Sequence, residues 1–433
     1  MMRLFKRNSS MRYGDQNITQ SVGERSINGE TPEVRVCVLG VYGKGNLGDE
    51  AILRAVIEDV TKRFSRVKVV VFCSNPDVVS KCHGVTAVSR TPFSSLFTKL
   101  RAVYRADAFV LGGGTMLCDD LTWVDDISSS TATMIWPMIA SACGVPIMVY
   151  GQGLGPAEHR TTQLVIKLLK TISNVITLRD KRSITIGSEA GGRKSNLVRT
   201  SDPVITAACF EPNWIRSQVD KTVTEYIRST RPYTLICLRR PKRGPIESWA
   251  TFYETFSKAV ARFYQETGSK LVLFPIQISD SYPDDREVLS VVREAMLREG
   301  IDKEALIERQ WSTIEEAVAI LQGADLVIAS RLHALLLAAR AGVSVVGIAY
   351  EDKVEGCLEM IGRNPACISI PKAGFDVHEA SNTMIAAWVN RTKYREQILS
   401  GVKKWAQSGP SNIEMLAKTL GLLKYGGSSE TYV

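Results

Sequence analysis

Short apolar segments rich in β-branched residues alternate with helix-length segments along most of this 433-residue chain. Six of these segments lie in the first half, at 34–39, 67–72, 108–111, 146–150, 174–177 and 197–199, and four in the second, at 233–238, 270–274, 324–329 and 343–348. Strands that are apolar on both faces are typical of parallel sheets covered by helices on either side. We therefore predict an α/β fold with doubly wound parallel sheets.

The strands fall into two sets, which predicts two Rossmann-like domains that face each other across a cleft. A chain of this length is also too long for one ordinary core. We expect a basic, disordered N-terminal tail without an apolar signal-peptide core, a first domain, a polar linker, a second domain, and C-terminal helices that cross back over the first domain. The corresponding ranges are 1–33, 34–212, 213–231, 232–380 and 381–433.

Net charge and cysteine usage limit the partners and the compartment. The formal net charge of +9 favours an anionic partner such as a phosphorylated donor, an acidic glycan or, through peripheral contact, an anionic membrane. Nucleic acid is not expected, because the sequence has no recognisable nucleic-acid-binding module. The nine cysteines include no CxxC pair and no cluster with zinc spacing. We therefore predict a reducing, cytoplasmic location and no metal site.

A glycine-rich loop at 43–48 follows the first predicted strand and precedes a helix, as in the dinucleotide fingerprint G-x-G-x-x-G. Two features argue against NAD. Asp49 and Glu50 place carboxylates where a pyrophosphate needs positive potential, and the second strand ends without the acidic residue that would bind a ribose. Asp49 is also a suitable helix N-cap, which would be a purely structural role. We expect no cofactor.

Two further glycine-rich loops, at 112–115 and 151–156, follow strands of the same predicted sheet. The carboxyl ends of parallel strands share one edge of a sheet. Three glycine loops at that edge therefore predict a close approach of the backbone to a bulky ligand. Compact turns without a ligand are the alternative interpretation.

The strand at 324–329 ends directly on Arg331 and His333, and an apolar helix follows at once. Ligands of open α/β sheets bind outside the carboxyl ends of the strands, near helix N-termini that favour anions. A permanent cation and a group that titrates near neutral pH are thus both placed at such an edge. The alternative is an arginine on a loop surface and a histidine that only caps a helix.

Six motifs, taken in order, resemble those of the polysaccharide pyruvyl transferase family. They are GNLGDE at 45–50, GGG at 112–114, GQGLGP at 151–156, LRD at 178–180, SDP at 201–203 and SRLH at 330–333. The resemblance extends from about residue 37 to residue 362 and implies a fold like that of the two-domain GT-B glycosyltransferases. It also implies transfer of a pyruvyl group from phosphoenolpyruvate to a sugar as a cyclic ketal, with release of phosphate.

The resemblance also implies roles for individual residues. His333 matches the catalytic histidine of the family, and Arg331 matches the arginine beside it. Arg239, with Arg240 adjacent, matches a donor-binding arginine on the first strand of the second domain. Lys353 matches a lysine that follows the last strand.

The chemistry of phosphoenolpyruvate agrees with these roles. Its carboxylate and phosphate require several cations with fork-like donors, and we expect these from Arg239, Arg240, Arg331 and Lys353 in the second domain, with Ser330 as a further donor-binding residue. His333 is interpreted as the general acid/base, because imidazole titrates near neutral pH. The alternative is that His333 only donates a hydrogen bond to the phosphate.

The first domain is expected to face the acceptor sugar, either free or lipid-linked. The expected contacts are the glycine loops and two carboxylates, at Gly45, Asn46, Gly48, Asp49, Glu50, Gly113, Gly114, Gln152 and Gly153. Asp180 and Asp202 are interpreted as structural residues that close turns after strands.

Two other functions stay open at this stage. One is a GT-B glycosyltransferase with a nucleotide-sugar donor, whose ribose Glu355 or Glu359 would bind. The other is a glycan-binding protein without catalytic activity, which the pairing of Arg331 with His333 disfavours. The sequence does not identify the acceptor sugar, its bridged hydroxyls or the oligomeric state.

Overall fold

The computed structural model describes residues 33–91, 94–119, 131–192, 196–240, 246–279, 284–349, 352–363, 366–369 and 376–421. Within these residues, two parallel sheets form separate domains. The predicted tail, apart from Glu33, and the last twelve residues, 422–433, lie outside the described residues.

The first domain is built on a parallel sheet with β1 near its centre. Its described strands are β1 (Val34–Leu39), β2 (Val67–Cys73), β3 (Thr86–Ser89), β4 (Ala108–Leu111), β5 (Gly114–Leu117), β6 (Ile147–Leu154), β7 (Val175–Leu178) and β8 (Leu197–Arg199). Their order across the sheet is β3-β2-β1-β4-β6-β7-β8, and β5 pairs with the end of β6. The helices of this part of the chain are α1 (Leu47–Arg63), α2 (Pro76–His83), α3 (Leu96–Arg105), α4 (Thr131–Ala142), α5 (Arg160–Ile172), α6 (Lys181–Glu189) and, after β8, α7 (Pro203–Thr206).

Helix α1 begins where local chemistry satisfies its free backbone donors. Asn46 is the N-cap, and its side-chain oxygen accepts a hydrogen bond from the backbone N–H of Gly48 at 2.9 Å. Asp49 and Glu50 follow in the first turn, where carboxylates interact favourably with the helix dipole. The interpretation of Asp49 as the N-cap is therefore wrong, because the helix begins three residues earlier than the glycine pattern indicated.

The second domain repeats the same construction. Its described strands are β9 (Tyr233–Cys237), β10 (Lys270–Leu273), β11 (Leu306–Glu308), β12 (Leu326–Ala329), β13 (Ser344–Ala349) and β14 (Cys367–Ser369), in the order β11-β10-β9-β12-β13-β14. The helices of this part of the chain are α8 (Pro212–Gln218), α9 (Lys221–Thr230), α10 (Ile246–Thr267), α11 (Asp285–Arg298), α12 (Ile314–Gly323), α13 (Leu332–Ala339) and α14 (Asp352–Met360). The prediction of an α/β fold with two Rossmann-like domains is confirmed.

The chain ends the described region with α15 (Val377–Val389), α16 (Arg391–Ala406) and α17 (Asn412–Thr419). The predicted boundary at residue 380 falls inside α15, which packs on α10 and β13 and so belongs to the second domain. The predicted linker at 213–231 is largely helical, as α8 and α9. Helix α17 does return to the first sheet, where the side chain of Asn412 accepts hydrogen bonds from the hydroxyls of Thr177 and Thr200.

The two domains touch through helices and through the first glycine loop. Helix α1 packs against α12 and α13 of the second domain. The loop before α1 pairs with the loop after β10 in a short antiparallel bridge between Asn46 and Gln277. Two backbone hydrogen bonds of 2.9 Å, from Leu47 N–H to Ile276 O and from Ile278 N–H to Gly45 O, complete it. The carboxyl ends of the two sheets thus face each other across a narrow contact zone.

All nine cysteines are free thiols. Burial raises the pKa of the Cys37 thiol to about 12, which makes it a poor nucleophile at neutral pH. Among the described helices, none combines the length and the apolar character needed to cross a bilayer.

Candidate functional site

His333 stands in the first turn of α13, directly after β12, and its ring reaches the first domain. A β-carbon placed on Gly48 would overlap this ring, with Cγ of His333 only 2.7 Å away. The side chain is 14% exposed. Its Nε2 atom is buried and has no hydrogen-bond partner among the described residues. The second domain therefore places an unpartnered imidazole nitrogen at the surface of the first.

Asp202 is the acidic group that faces His333. Its Oδ2 atom lies 3.7 Å from His333 Nε2 and accepts a hydrogen bond of 2.9 Å from Nη1 of Arg179. Its Oδ1 atom accepts from the backbone N–H of Val204 and so caps α7. Burial by itself would raise the pKa of this carboxyl, but the interactions with His333 and Arg179 outweigh it, and the pKa lies below its ordinary value. Asp202 is thus held as a carboxylate.

The structural role expected of Asp202 is correct but incomplete. The capping bond closes the turn after β8, as the sequence indicated, while the second carboxylate oxygen faces the interdomain contact. The sequence showed no sign of this, because the SDP motif and the SRLH motif are about 130 residues apart and belong to different domains.

Arg179 is the buried cation behind Asp202. Its guanidinium also donates to Thr115 Oγ1 at 3.1 Å. A β-carbon on Gly153 would lie 2.7 Å from Arg179 Cζ, so this glycine leaves the space that the guanidinium fills. Gly153, predicted to face the acceptor, packs on Arg179. Asp180 caps α6 by accepting from Ser183 N–H at 2.7 Å, which is the structural role expected of it.

Arg331 is buried and bound to an acidic partner. Its Nε donates to Asp285 Oδ2 and its Nη2 to Gln277 Oε1, both at 3.0 Å, and Nη2 also donates to Asp285 Oδ1. Asp285 in turn accepts from the backbone N–H groups of Ile276 and Gln277. Arg331 therefore fixes the loop that bridges to Asn46, a partnership that the sequence did not indicate.

The other donor-side residues lie at the ends of neighbouring strands. Ser330 follows β12, is buried, and its Oγ accepts from the backbone N–H of Arg239 at 3.0 Å. Arg239, half-buried, and Arg240, exposed, follow β9. Lys353 is half-buried in the first turn of α14, after β13. Since β9, β12 and β13 are adjacent and parallel in the sheet, these groups lie with His333 at the carboxyl end of the sheet.

The acceptor-side residues of the first glycine loop are engaged in structure. Gly45 has a φ of +70°, and a β-carbon there would overlap the carbonyl oxygen of Ile278 in the second domain. Glu50 is buried, with one oxygen accepting from Gly43 N–H at 2.6 Å and the other 2.8 Å from His83 Nε2. Gly45, Asn46 and Glu50 thus hold the loop and the domain contact.

The remaining acceptor-side residues cluster at the ends of β4 and β6. Gly113 packs tightly against Ile52, and a β-carbon on Gly114 would lie 3.5 Å from Asp49 Oδ1. Gln152 pairs with Gly114 in the sheet register and is wholly buried. Both polar atoms of its side-chain amide lack a hydrogen-bond partner among the described residues, which is rare for a buried amide.

In the part of the chain that the structure describes, no group of three His, Cys, Asp or Glu side chains is arranged to hold a metal ion. The chemistry available at the edge of the second sheet is instead that of an imidazole, a facing carboxylate and a set of nearby cations.

Comparison with known proteins identifies the family. The family model for polysaccharide pyruvyl transferases matches residues 46–352. The chain is 22% identical over 254 residues to the amylovoran biosynthesis protein AmsJ of Erwinia amylovora, and the match covers 57% of each chain. The chain therefore matches little more than half of the length of that curated relative.

Solved structures share the fold. HepE of Anabaena, determined in complex with UDP and glucose, superimposes with a TM-score of 0.59 at 14% identity over 90% of this chain and 100% of its own. UDP-GlcNAc 2-epimerase of Neisseria meningitidis superimposes with a TM-score of 0.58 at 10% identity, over 90% of this chain and 99% of its own. At such identities the similarity shows the GT-B-like fold alone. The family model spans both domains and includes the end of the first glycine loop, the two later glycine loops, Arg179, Asp202 and His333, so the chain belongs to the polysaccharide pyruvyl transferase family.

Proposed function

We propose that the protein transfers a pyruvyl group from phosphoenolpyruvate to a sugar of a polysaccharide or glycolipid precursor, forms a cyclic ketal and releases phosphate. The observation that carries the proposal is the position of His333. It shares a sheet edge with the cations of the second domain, and its buried Nε2 lacks a hydrogen bond and faces the first domain. A donor held by one domain and an acceptor held by the other would meet at this atom.

The reaction requires proton transfers that one imidazole can serve. The methylene carbon of phosphoenolpyruvate gains a proton, and positive charge develops at C2. One sugar hydroxyl adds to C2 and loses its proton, the C2–O bond to phosphate breaks, and the second hydroxyl closes the ketal and loses its proton. Of the two protons released by the hydroxyls, one balances the proton on the methyl group and the other leaves with phosphate.

His333 is proposed as the general acid/base of these steps. Its Nε2 has no competing hydrogen bond, and the Asp202 carboxylate at 3.7 Å stabilises positive charge on the ring when that nitrogen holds a proton. Gly48 supports the opposite edge of the ring. Asp202 and Gly48 act through His333 and are positioning residues.

The donor is assigned to Arg239, Arg240, Lys353 and Ser330 at the ends of β9, β12 and β13. Arg331 contributes differently, because Asp285 and Gln277 occupy its Nε and Nη2 atoms. Its Nη1 would contact phosphoenolpyruvate, but its main role would be to hold the loop after β10 that contacts the first domain. The two arginines after β9 are therefore the principal candidates for fork-like contacts with carboxylate and phosphate.

The acceptor is assigned to the edge of the first sheet around Asp49, Gly114 and Gln152. The unpartnered amide of Gln152 is suited to hydrogen bonds with sugar hydroxyls once the contact zone opens. No dinucleotide is proposed, because Glu50 already takes the backbone N–H of Gly43 in the loop that a pyrophosphate would need.

The decisive experiment compares glycans from cells with and without the protein by mass spectrometry, searching for the pyruvate ketal increment. Phosphate release from phosphoenolpyruvate is then measured with the purified protein and the acceptor so identified. His333→Ala is expected to lower turnover by roughly 10²–10⁴-fold. His333→Gln keeps a hydrogen-bond donor and is expected to be as inactive. Nucleotide release from a sugar nucleotide, without phosphate release from phosphoenolpyruvate, would contradict the proposal and favour a glycosyltransferase.

A further inference from the structure

Helices α3, α4 and α5 form a layer on the outer face of the first domain. Helix α4 contacts both α3 and α5. Their inner faces cover the first sheet through buried side chains such as Val103, Trp136 and Leu169. None of these three helices contains an aspartate or a glutamate. The outer face of the layer, which we call the α3–α5 face, is therefore built without acidic helical residues.

Large apolar side chains are concentrated on the α3–α5 face. Nine large hydrophobic residues are exposed in the described part of the chain, and five of them lie here. They are Leu96, Phe97 and Tyr104 on α3, Met138 on α4 and Leu164 on α5. Phe97 is 79% exposed and Leu164 65% exposed. Scattered exposed apolar residues are ordinary, but a concentration on one helical layer marks an interaction surface.

Basic side chains accompany the apolar ones. Arg101 and Arg105 of α3 and Arg160 and Lys167 of α5 are exposed. On α3, the spacing of Phe97, Arg101, Tyr104 and Arg105 places an aromatic–basic stripe on one face of the helix. Among the described residues, the acidic side chains that flank α3 and α5 in the sequence lie outside these helices. Asp107 accepts from Arg35 N–H at 2.9 Å, and Glu158 precedes α5.

We infer that the α3–α5 face rests on an anionic lipid bilayer as a peripheral contact. A helix that combines exposed aromatic residues with arginines is suited to bind in the headgroup region. Its rings insert at the boundary between the headgroups and the acyl chains, and its guanidinium groups contact lipid phosphates. The absence of acidic residues from the three helices gives the charge complementarity that an anionic surface requires. The inference does not depend on the identity of the donor or the acceptor.

Vesicle sedimentation tests the inference with the full-length protein. We expect binding to vesicles that contain phosphatidylglycerol and little binding to pure phosphatidylcholine. Raising the ionic strength from 0.1 to 1 M shortens the Debye length from about 10 Å to about 3 Å and should release most of the protein. Equal binding to both vesicle types, or no binding to either, would overturn the inference.

Substitutions then locate the contact. Arg101→Gln with Arg105→Gln is expected to weaken binding about 25-fold, from roughly fivefold per lost charge. Phe97→Ser is expected to weaken it about tenfold or more, because the ring is lost from the acyl boundary. The matched controls are Arg228→Gln with Arg298→Gln, and Val389→Ser, all exposed residues on α9, α11 and α15. They should bind as the unaltered protein does.

Two results would contradict the location. Unchanged vesicle binding in both α3 variants would place the contact elsewhere, for instance in the basic tail. A dimer in sedimentation equilibrium that Phe97→Ser converts to a monomer would show that a second copy of the chain covers the α3–α5 face. Phosphate release by the α3 variants on a soluble acceptor should stay normal, because none of these residues belongs to the proposed catalytic site.

Discussion

Gly48 of the first domain and His333 of the second are in direct contact, and no side chain fits between them. A β-carbon on Gly48 would lie 2.7 Å from Cγ and 3.0 Å from Cβ of His333. Gly48 lies in the first turn of α1, and its φ is not in the left-handed region, so its backbone tolerates alanine. The glycine is required for the space that it leaves to the imidazole ring.

Gly48→Ala should therefore separate activity from stability. Replacing a helical glycine by alanine favours the helix by about 0.5–1 kcal/mol, which offsets part of the steric clash. We expect the free energy of unfolding to change by no more than about 1 kcal/mol, while kcat/KM falls at least about tenfold because the ring is displaced. Steady-state phosphate release and chemical denaturation measure the two effects.

The matched control is Gly356→Ala in α14. This helical glycine has open space where its β-carbon would lie, and we expect normal activity. Full activity of Gly48→Ala would show that the contact with His333 does not position the ring.

The parallel sheets were predictable because most of their strands are short apolar segments that can be recognised from the local sequence alone. Segments such as 34–39 and 233–238 are apolar on both faces, and only a sheet covered on both sides by helices accommodates them. The short edge strands β3, β11 and β14 and the small strand β5 were not predicted. Thr86–Ser89 lacks a buried face, and Gly114–Leu117 reads as the continuation of a glycine loop.

The site was predictable in its parts but not in its pairings. Arg331 and His333 stand where the SRLH motif indicated, at the end of β12. Their partners Asp285 and Asp202 are 46 and 131 residues away in the sequence, and only the folded chain brings them together. A single sequence contains no signal for such long-range ion pairs. The same holds for Gly153, whose lack of a side chain leaves the space that Arg179 fills.

Arg239→Ala and Arg331→Ala should lose activity for different reasons, the first through weaker donor binding and the second through lower stability. Arg239 is half-buried at the sheet edge, so its loss should raise the donor KM by roughly 10- to 150-fold, equivalent to about 1.5–3 kcal/mol, with normal folding. Arg331→Ala leaves the buried carboxylate of Asp285 without its partner and should destabilise the fold by about 3–5 kcal/mol. Donor saturation curves and thermal unfolding distinguish the two, and an unchanged melting temperature of Arg331→Ala would refute the structural role.

Asp59→Asn should stabilise the protein above neutral pH. Burial raises the pKa of this carboxyl to about 6, although the hydroxyl of Tyr150 donates to it at 2.6 Å. The protonated form therefore stabilises the fold fully below about pH 4 and loses that effect as the pH rises through 6. Asparagine mimics the protonated form and can still accept from Tyr150. We expect the free energy of unfolding of the variant to exceed that of the unaltered protein by up to about 3 kcal/mol at pH 8 and to equal it near pH 4. A variant that is less stable at pH 8 would exclude this ionisation effect.

Asp202→Asn should affect both stability and turnover, through two different neighbours. Asparagine preserves the cap of α7 but removes the nearer of the two carboxylates that pair with the buried Arg179, while Asp180 stays 3.5 Å from its Nε, so we expect a loss of about 1.5–3 kcal/mol at pH 7. Turnover should fall by roughly 10²-fold or more, because a proton on His333 loses the facing carboxylate.

The pH dependence of this loss follows from the lowered pKa of Asp202. A carboxyl whose pKa falls below 3.8 on folding contributes stability above that value, and the contribution disappears as the pH falls through the lower, folded-state value. The difference in unfolding free energy between the unaltered protein and Asp202→Asn should therefore be complete at pH 6 and shrink below about pH 4. A double-mutant cycle with Arg179→Gln tests whether this loss of stability comes from the pair with Arg179. If it does, the double variant should lose less unfolding free energy than the two single variants lose in sum. If the cycle shows coupling and turnover of Asp202→Asn is nevertheless normal, Asp202 pairs with Arg179 alone and has no part in positioning His333.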